Sequence, residues 1–438
     1  MHTQTSLTDS FLNALRPEMV GGNCALSKPP ATQASALLIK SEFIAYASPE
    51  STYAVTARLL NAAQKSIQIG IYDFTAQYVK ELLFKAMRRG VKVTLMLDLD
   101  GRAGEQPLFD DLAKHGAACV PAPACSSKHA HYYPYCHEKF IIVDDTWVLV
   151  QSGNWSEASI PFNEMDGGDP AHFDFGNRDM GIAIKSPELA TFFWRVLAKD
   201  IKLETDAIGP QALEDATPGF AELEAFGAKP KAPAPTLFKS KSFKPTRAVK
   251  VLPILSPDNY VKEITPMLRG ATKSIDIEQQ YIRREQAGVK DLLAAIKAAR
   301  QDHPQIKIRV VLARPINKTD GPQIADLSQD GLKLGEHVRL LAAQHFAHCH
   351  NKLVIVDRKR VLISSQNWST SAVMKNREAG LLMDYPALAA YYASIFEVDW
   401  QTGEQQLPKA KAKPSVAGPE SLATGKTLRL NWGDYAEV

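Results

Sequence analysis

Two short stretches carry the residue types best suited to chemistry: His137-Glu138-Lys139 with Asp144 five residues on, and His350-Asn351-Lys352 with Asp357 at the same spacing. Histidine can attack phosphorus or move a proton, and a lysine ammonium can neutralise an anionic centre. On a β-strand, residues two apart project from one face, so each His and Lys share a surface. The apolar runs Phe140–Val143 and Leu353–Val356 bury that strand and hold its reacting face still. After six more residues come Gln151-Ser152-Gly153-Asn154 in one stretch and Ser364-Ser365-Gln366-Asn367 in the other, each followed by Trp-Ser. The hydroxyls of Ser152 and Ser365 and the amides of Asn154 and Asn367 can donate hydrogen bonds to nonbridging phosphate oxygens. Two sets of His, Lys, Ser and Asn make a phosphodiester clamp.

These residues sit inside a long internal repeat. Ser48-Pro49-Glu50 opens one copy and Ser256-Pro257-Asp258 the other, and Lys65-Ser66-Ile67-Gln68-Ile69 matches Lys273-Ser274-Ile275-Asp276-Ile277 at an offset of 208. The apolar spacing predicts helices over Val79–Arg89 and Val289–Arg300, then buried strands over Val91–Leu97 and Ile306–Leu312. The motif histidines lie 213 residues apart, and Asn177-Arg178-Asp179 answers Asn376-Arg377-Glu378 at an offset of 199, so insertions separate otherwise parallel copies. One insertion, around Met165–Pro170, reads either as a lid or as a plain surface loop. Alternating strands and helices predict an α/β fold of two pseudo-twofold-related repeats, each a central mixed sheet flanked by helices. The copies are placed at 48–206 and 248–405, with an N-terminal extension (1–47), a Pro/Ala/Lys-rich linker (207–247) and a C-terminal tail (406–438). Leu428–Trp432 in that tail reads as a docked strand.

Composition bounds the rest. A chain of 438 residues, 45% hydrophobic and 23% charged, can bury a sizeable core in two units. Its net charge of +3 is near balance, so an anionic substrate must be met by local charge. Five cysteines, odd in number and unevenly spaced, argue against a disulfide framework and for a reducing compartment. Cys125, His129, His131 and Cys136, with Cys349 between His348 and His350, lack the CxxC spacing of zinc sites, so the expectation is a histidine-rich substrate loop and no metal. No basic-then-apolar leader is read, and no stretch approaches roughly 18 uninterrupted apolar residues. A cytoplasmic location is the default expectation, export by a dedicated machinery stays open, and any membrane contact is peripheral.

The doubled pattern resembles the phospholipase D superfamily, whose HxKxxxxD motif is followed after six residues by Gly-Ser-x-Asn. The resemblance covers roughly residues 48–400, with Gln151 and Ser364 standing where that pattern has glycine. It implies one composite site and a two-step, cofactor-free reaction. His137 attacks phosphorus to give a phosphohistidine, while His350 protonates the leaving alcohol and then activates water. Lys139 and Lys352 hold the phosphate. Asp144 and Asp357 would each orient a histidine across the interface, with Asp179 and Glu378 in a similar supporting role. Glu278-Gln279-Gln280-Tyr281, and its counterpart Gly70-Ile71-Tyr72-Asp73, resemble a site-lining segment. A phospholipid is the expected substrate, by headgroup hydrolysis or phosphatidyl transfer. The alternative is nucleic acid, since Tyr72-Asp73-Phe74-Thr75 and Arg88-Arg89-Gly90-Val91 also resemble small bacterial endonucleases of the superfamily and the linker is basic. No obligate protein partner is implied.

Overall fold

The computed structural model describes residues 24–100, 104–162, 176–208, 238–315 and 320–408. The insertion around Met165–Pro170, most of the linker and the tail strand at Leu428–Trp432 lie outside the described residues.

An opening strand β1 (Leu37–Ile39) precedes the first repeat, which runs β2 (Phe43–Ser48), α1 (Thr52–Ala62), β3 (Ser66–Ile71), α2 (Gln77–Arg88), β4 (Lys92–Leu97), α3 (Glu105–Lys114), β5 (Ala118–Pro121), β6 (Lys139–Val143), β7 (Trp147–Gln151), β8 (Asp179–Lys185) and α4 (Pro187–Ile208). After β9 (Lys241–Phe243), the second repeat follows the same order: β10 (Val249–Ser256), α5 (Tyr260–Arg269), β11 (Ser274–Gln279), α6 (Val289–Asp302), β12 (Lys307–Leu312), α7 (Asp320–Asp326), β13 (Val338–Leu340), β14 (Lys352–Val356), β15 (Arg360–Ser364), α8 (Thr370–Met374), β16 (Glu378–Asp384) and α9 (Pro386–Thr402). The helices and strands predicted over 79–97 and 289–312 fall within a residue or two of these bounds. In α2, Val79, Leu82, Leu83 and Ala86 form the buried stripe, and Gly90, at φ 88°, turns the chain out of the helix as only glycine does without strain.

The strands form two eight-stranded mixed sheets, ordered β5-β4-β3-β6-β7-β8-β2-β9 and β13-β12-β11-β14-β15-β16-β10-β1. In each, three strands (β3, β4, β5 and β11, β12, β13) run parallel and the others pair antiparallel. The outer face of each sheet carries its own core, where Ile67, Ile69 and Leu95 pack on Val79 and Leu83, and Ile275, Ile277 and Val310 pack on Leu293 and Ile296. The inner faces share a third core: Phe140, Val150 and Ile182 of the first sheet meet Leu353, Ile363 and Leu381 of the second, with Phe193 of α4 and Tyr392 and Phe396 of α9.

The repeats also exchange edge strands. The extension supplies β1 to the second sheet, along β10, while the linker supplies β9 to the first, along β2. The first sheet already begins at Phe43, within what the sequence reading assigned to the extension. Ahead of β1, the chain forms a strap: Lys199 Nζ donates to Ala31 O at 3.0 Å and Thr32 N to Asp258 Oδ1 at 2.6 Å. Its first described residue, Cys24, is disulfide-bonded to Cys125, 101 residues away. This corrects the expectation of no disulfide. Spacing along the chain cannot show that the strap brings Cys24 to within 5.6 Å, Cα to Cα, of Cys125.

Two buried arginines join the repeats. Arg178, from the first, reaches Glu50 at 2.8 Å and Asp399 of α9 at 2.8 Å. Arg377, from the second, reaches Asp258 at 2.8 Å and Asp200 of α4 at 2.7 Å. Each stacks on an aromatic ring as well, Phe346 and Tyr133 respectively. With both charges desolvated, removing one partner would strand the others.

Candidate active site

The motif lysines are the first residues of the hairpin strands β6 and β14, and the histidines sit just ahead of them. There the backbone of each repeat pairs with the Asn-Arg-acid segment of the other. His137 N donates to Arg377 O at 2.7 Å and Arg377 N to Tyr135 O at 2.9 Å; His350 N donates to Arg178 O at 3.1 Å and Arg178 N to His348 O at 2.9 Å. This crossing delivers each acid to the opposite histidine. His137 Nδ1 lies 2.9 Å from Glu378 Oε2, and His350 Nδ1 lies 2.9 Å from Asp179 Oδ1. Both histidines are 5% exposed and both lysines fully buried. Lys139 and Lys352 each donate to the carbonyl of their own motif histidine.

The charges of the two halves act on one another. Burial pushes the Glu378 carboxyl up to about 8, although Lys139 and Lys352, one from each repeat, pull it down together with the Ser365 and Asn376 hydrogen bonds. Burial also works against Asp179, but the charges of His350 and Lys352 and the hydrogen bonds from His350 and Ser152 prevail and hold it below the usual carboxylate range. The two motifs thus lie at a single locus at the repeat boundary.

Residues 56–201 and 264–400 each match the family described as "Cardiolipin synthase, PLD-like domain", together well over half of the chain. The chain belongs to the phospholipase D superfamily. It is 28% identical over 127 residues to the mitochondrial cardiolipin hydrolase of Homo sapiens, a match that covers 28% of this chain and 48% of that protein. The chain therefore spans about half the length of that relative. It is 28% identical over 143 residues to phospholipase D of Rickettsia prowazekii, covering 32% of this chain and 66% of that one. Among solved structures, phosphatidylserine synthase of Haemophilus influenzae superposes with a TM-score of 0.53 at 13% identity, over 85% of this chain and 89% of that one. That likeness shows the fold.

Within the phospholipase D pattern, several residues lie where the sequence reading did not put them. Asp144 and Asp357 orient no histidine among the described residues. Each is the first corner of a tight β-hairpin, at φ 53° and 54°, and its carboxylate accepts the amide N–H groups of the loop entering the neighbouring strand: Gln64, Lys65 and Ser66 for Asp144, Thr272, Lys273 and Ser274 for Asp357. Asp tolerates that left-handed backbone better than most side chains, and a short carboxylate can collect several amides. The carboxylates at hydrogen-bond distance from the histidines are those of Asp179 and Glu378.

Ser152 and Ser365, expected to face the phosphate, donate to these same acids at 2.7 and 2.6 Å. Asn154 and Asn367 are buried beside them. Glycine stands across the strand from both residues that replace the pattern glycine. Gln151 pairs with Gly181 and Ser364 with Gly380, and a Cβ on either glycine would collide, with the Tyr46 ring at 2.2 Å or Ser364 Cβ at 2.6 Å. The zinc reading of the histidine loop loses Cys125 to the disulfide. Asp200 and Asp399, the arginine partners, were not singled out from sequence. The offset of 199 that relates the Asn-Arg-acid segments also relates these two aspartates, and would have found them.

Proposed function

We propose that the chain is a phosphodiesterase that works through a covalent phosphohistidine and that its substrate is a phospholipid, cleaved at the headgroup or passed to another alcohol. One observation carries this reading: two histidines, each hydrogen-bonded through Nδ1 to an acid from the other repeat. With Nδ1 so engaged, Nε2 is the reacting nitrogen of each ring. His137 attacks phosphorus, and His350 gives a proton to the departing alcohol oxygen. His350 then takes a proton from water, or from an acceptor alcohol, as it displaces His137 from phosphorus. Lys139, Lys352, Asn154 and Asn367 would bind the nonbridging oxygens as charge builds on them. Asp179 and Glu378 fix ring orientation, and Ser152 and Ser365 fix the acids.

The phospholipid assignment draws on the family description and on the activities in the relatives' names. The nucleic-acid alternative rests on the likeness of Tyr72-Asp73-Phe74-Thr75 and Arg88-Arg89-Gly90-Val91 to small bacterial endonucleases and on the basic linker. Within the described part of that linker, β9 pairs with Phe43–Ala45, at the end of β2 away from the Ser48 that stands opposite Asp179. Three residues of strand, about 10 Å, separate Ala45, the residue opposite Lys241, from Ser48.

The test is a side-by-side assay of the full chain, with EDTA present, on phosphatidylcholine or phosphatidylglycerol vesicles and on single- and double-stranded DNA, with His137→Ala as the blank. Release of headgroup or phosphatidyl transfer supports the lipid reading. Cleavage of DNA alone replaces it with a nuclease.

A further inference from the structure

The half-sites differ at the tips of their central strands. β3 ends at Ile71 and β11 at Gln279, and the next residue is Tyr72 in the first repeat but Gln280 in the second. Tyr72 is only 1% exposed. Its ring lies 4.5 Å from the His137 ring, centroid to centroid and inclined at 60°, and 5.0 Å from Lys139 Nζ. Its hydroxyl donates to Asp100 Oδ2 at 2.7 Å. Asp100 is buried too, three residues past the end of β4; the residue three past the end of β12 is Pro315, which offers no acceptor side chain. The tyrosine that does follow β11, Tyr281, packs under the Arg283 guanidinium at 4.5 Å.

An imidazole tied only through Nδ1 can still swing its plane about that bond. A second contact against the ring removes the swing. Bond formation at phosphorus needs Nε2 in line with the leaving oxygen, and a misplacement of 1 Å can cost about 100-fold. Proton transfer is more forgiving, because one water can relay it. A ring held at both Nδ1 and its face, as His137 is by Glu378 and Tyr72, is suited to attack, and Lys139 gains a fixed position over the Tyr72 ring.

We propose that Tyr72, anchored by Asp100, is a positioning residue that aligns His137 for nucleophilic attack. The proposal rests on the phosphohistidine reading above.

The test compares Tyr72→Leu, Tyr72→Phe and Asp100→Asn in the full chain, with folding checked by thermal melt. Two substrates are used: bis(p-nitrophenyl) phosphate, whose leaving group departs without a proton, and phosphatidylcholine in mixed micelles. Tyr72→Leu should lower kcat about 30-fold on both, with KM within about twofold, because a good leaving group cannot relieve a misaligned nucleophile. Tyr72→Phe, which keeps the ring, should recover most of this. Asp100→Asn should fall between them. In parallel, imidazole nitrogen spectra of labelled chain should show the His137 signals moved or broadened in Tyr72→Leu and the His350 signals unchanged.

A Tyr72→Leu defect confined to phosphatidylcholine would place Tyr72 behind the proton donor and overturn the inference. Unchanged His137 signals, or a Phe variant as damaged as Leu in a folded chain, would overturn it as well. If the wild-type chain turned over neither substrate, the phospholipid reading would fall, and the imidazole spectra alone would decide whether Tyr72 positions His137.

Discussion

His350 meets Asp179 and His137 meets Glu378, both at 2.9 Å across the repeat boundary, yet their surroundings bear on the two acids in opposite directions. Asp179 is held below the ordinary carboxylate range and keeps its charge at neutral pH, whereas burial pushes Glu378 up to about 8. An ionised carboxylate beside an imidazole favours its charged form, which suits the partner that must give up a proton. An acid that holds its proton more tightly favours the charged imidazole less, which suits the attacking role proposed for His137. A duplicated site can thus divide its labour through surroundings while both copies keep the same reacting residue.

The sharpest way to break this comparison is to remove each histidine. His137→Ala and His350→Ala should each lose steady-state turnover by about 1,000-fold or more. With bis(p-nitrophenyl) phosphate they should separate. His350→Ala releases one equivalent of nitrophenol per chain and stalls on phosphohistidine, while His137→Ala gives no burst. A burst in His137→Ala alone would exchange the two roles.

The acids come next. At pH 7, Asp179→Asn should lower kcat by about 100-fold, whereas Glu378→Gln, which replaces a carboxyl already mostly neutral, should cost about tenfold. Stability should divide along the same line. Glu378, raised from 4.5 to about 8, holds its proton more tightly folded than unfolded, so its contribution is complete below pH 4.5 and is lost as pH rises through 8. Asp179, lowered from 3.8, contributes above that value, and its contribution is lost as pH falls through its folded pKa. Urea midpoints measured against pH should lose the decline between 4.5 and 8 in Glu378→Gln and the acid-side decline in Asp179→Asn. Identical profiles for the two variants would erase the distinction.

A smaller asymmetry lies outside the chemistry. The disulfide ties the strap to the loop that leads into the first motif, and the second repeat's motif loop has no such tie among the described residues. Cys24→Ser opens a bond that closes a span of 101 residues, so a loss of about 2–4 kcal/mol in urea unfolding is expected, with kcat of the folded chain little changed. Amide exchange should quicken around His131, whose carbonyl accepts from Ser27, before it quickens around His348. Uniform quickening would mean that the strap braces both halves alike.

Much of the architecture was legible because it rests on local pattern. The apolar stripe of α2, the buried strands and the doubled spacing of His, Lys and Asn can be read from single stretches. What could not be read depends on which repeat faces which. Nothing in Asn177-Arg178-Asp179 alone says that its arginine locks onto α9 and its acid onto His350, since both partners lie in the other copy. The motif aspartates were misassigned for a related reason. Their partners are backbone amides, which leave no side-chain signature in a sequence. Cys24 and Cys125 escaped because only the folded strap brings them together.

That misassignment supplies the mildest prediction, and the one that best isolates the dyads. Asp144 accepts three amide N–H groups at the loop before β3. Burial raises its carboxyl, but the Ser66, Lys65 and Gln64 amides outweigh this and hold it below 3.8. Asp144→Asn keeps the shape and tolerates the positive φ, yet gives up the charge those amides point toward. It should cost about 1–2 kcal/mol of stability, and that loss should fade at low pH, where the wild-type carboxylate is protonated. The activity profile against pH should match wild type, in contrast to Asp179→Asn. A shifted profile in folded Asp144→Asn would mean that the motif aspartate reaches the histidines after all, and would return to it the orienting role that the geometry gives to Asp179 and Glu378.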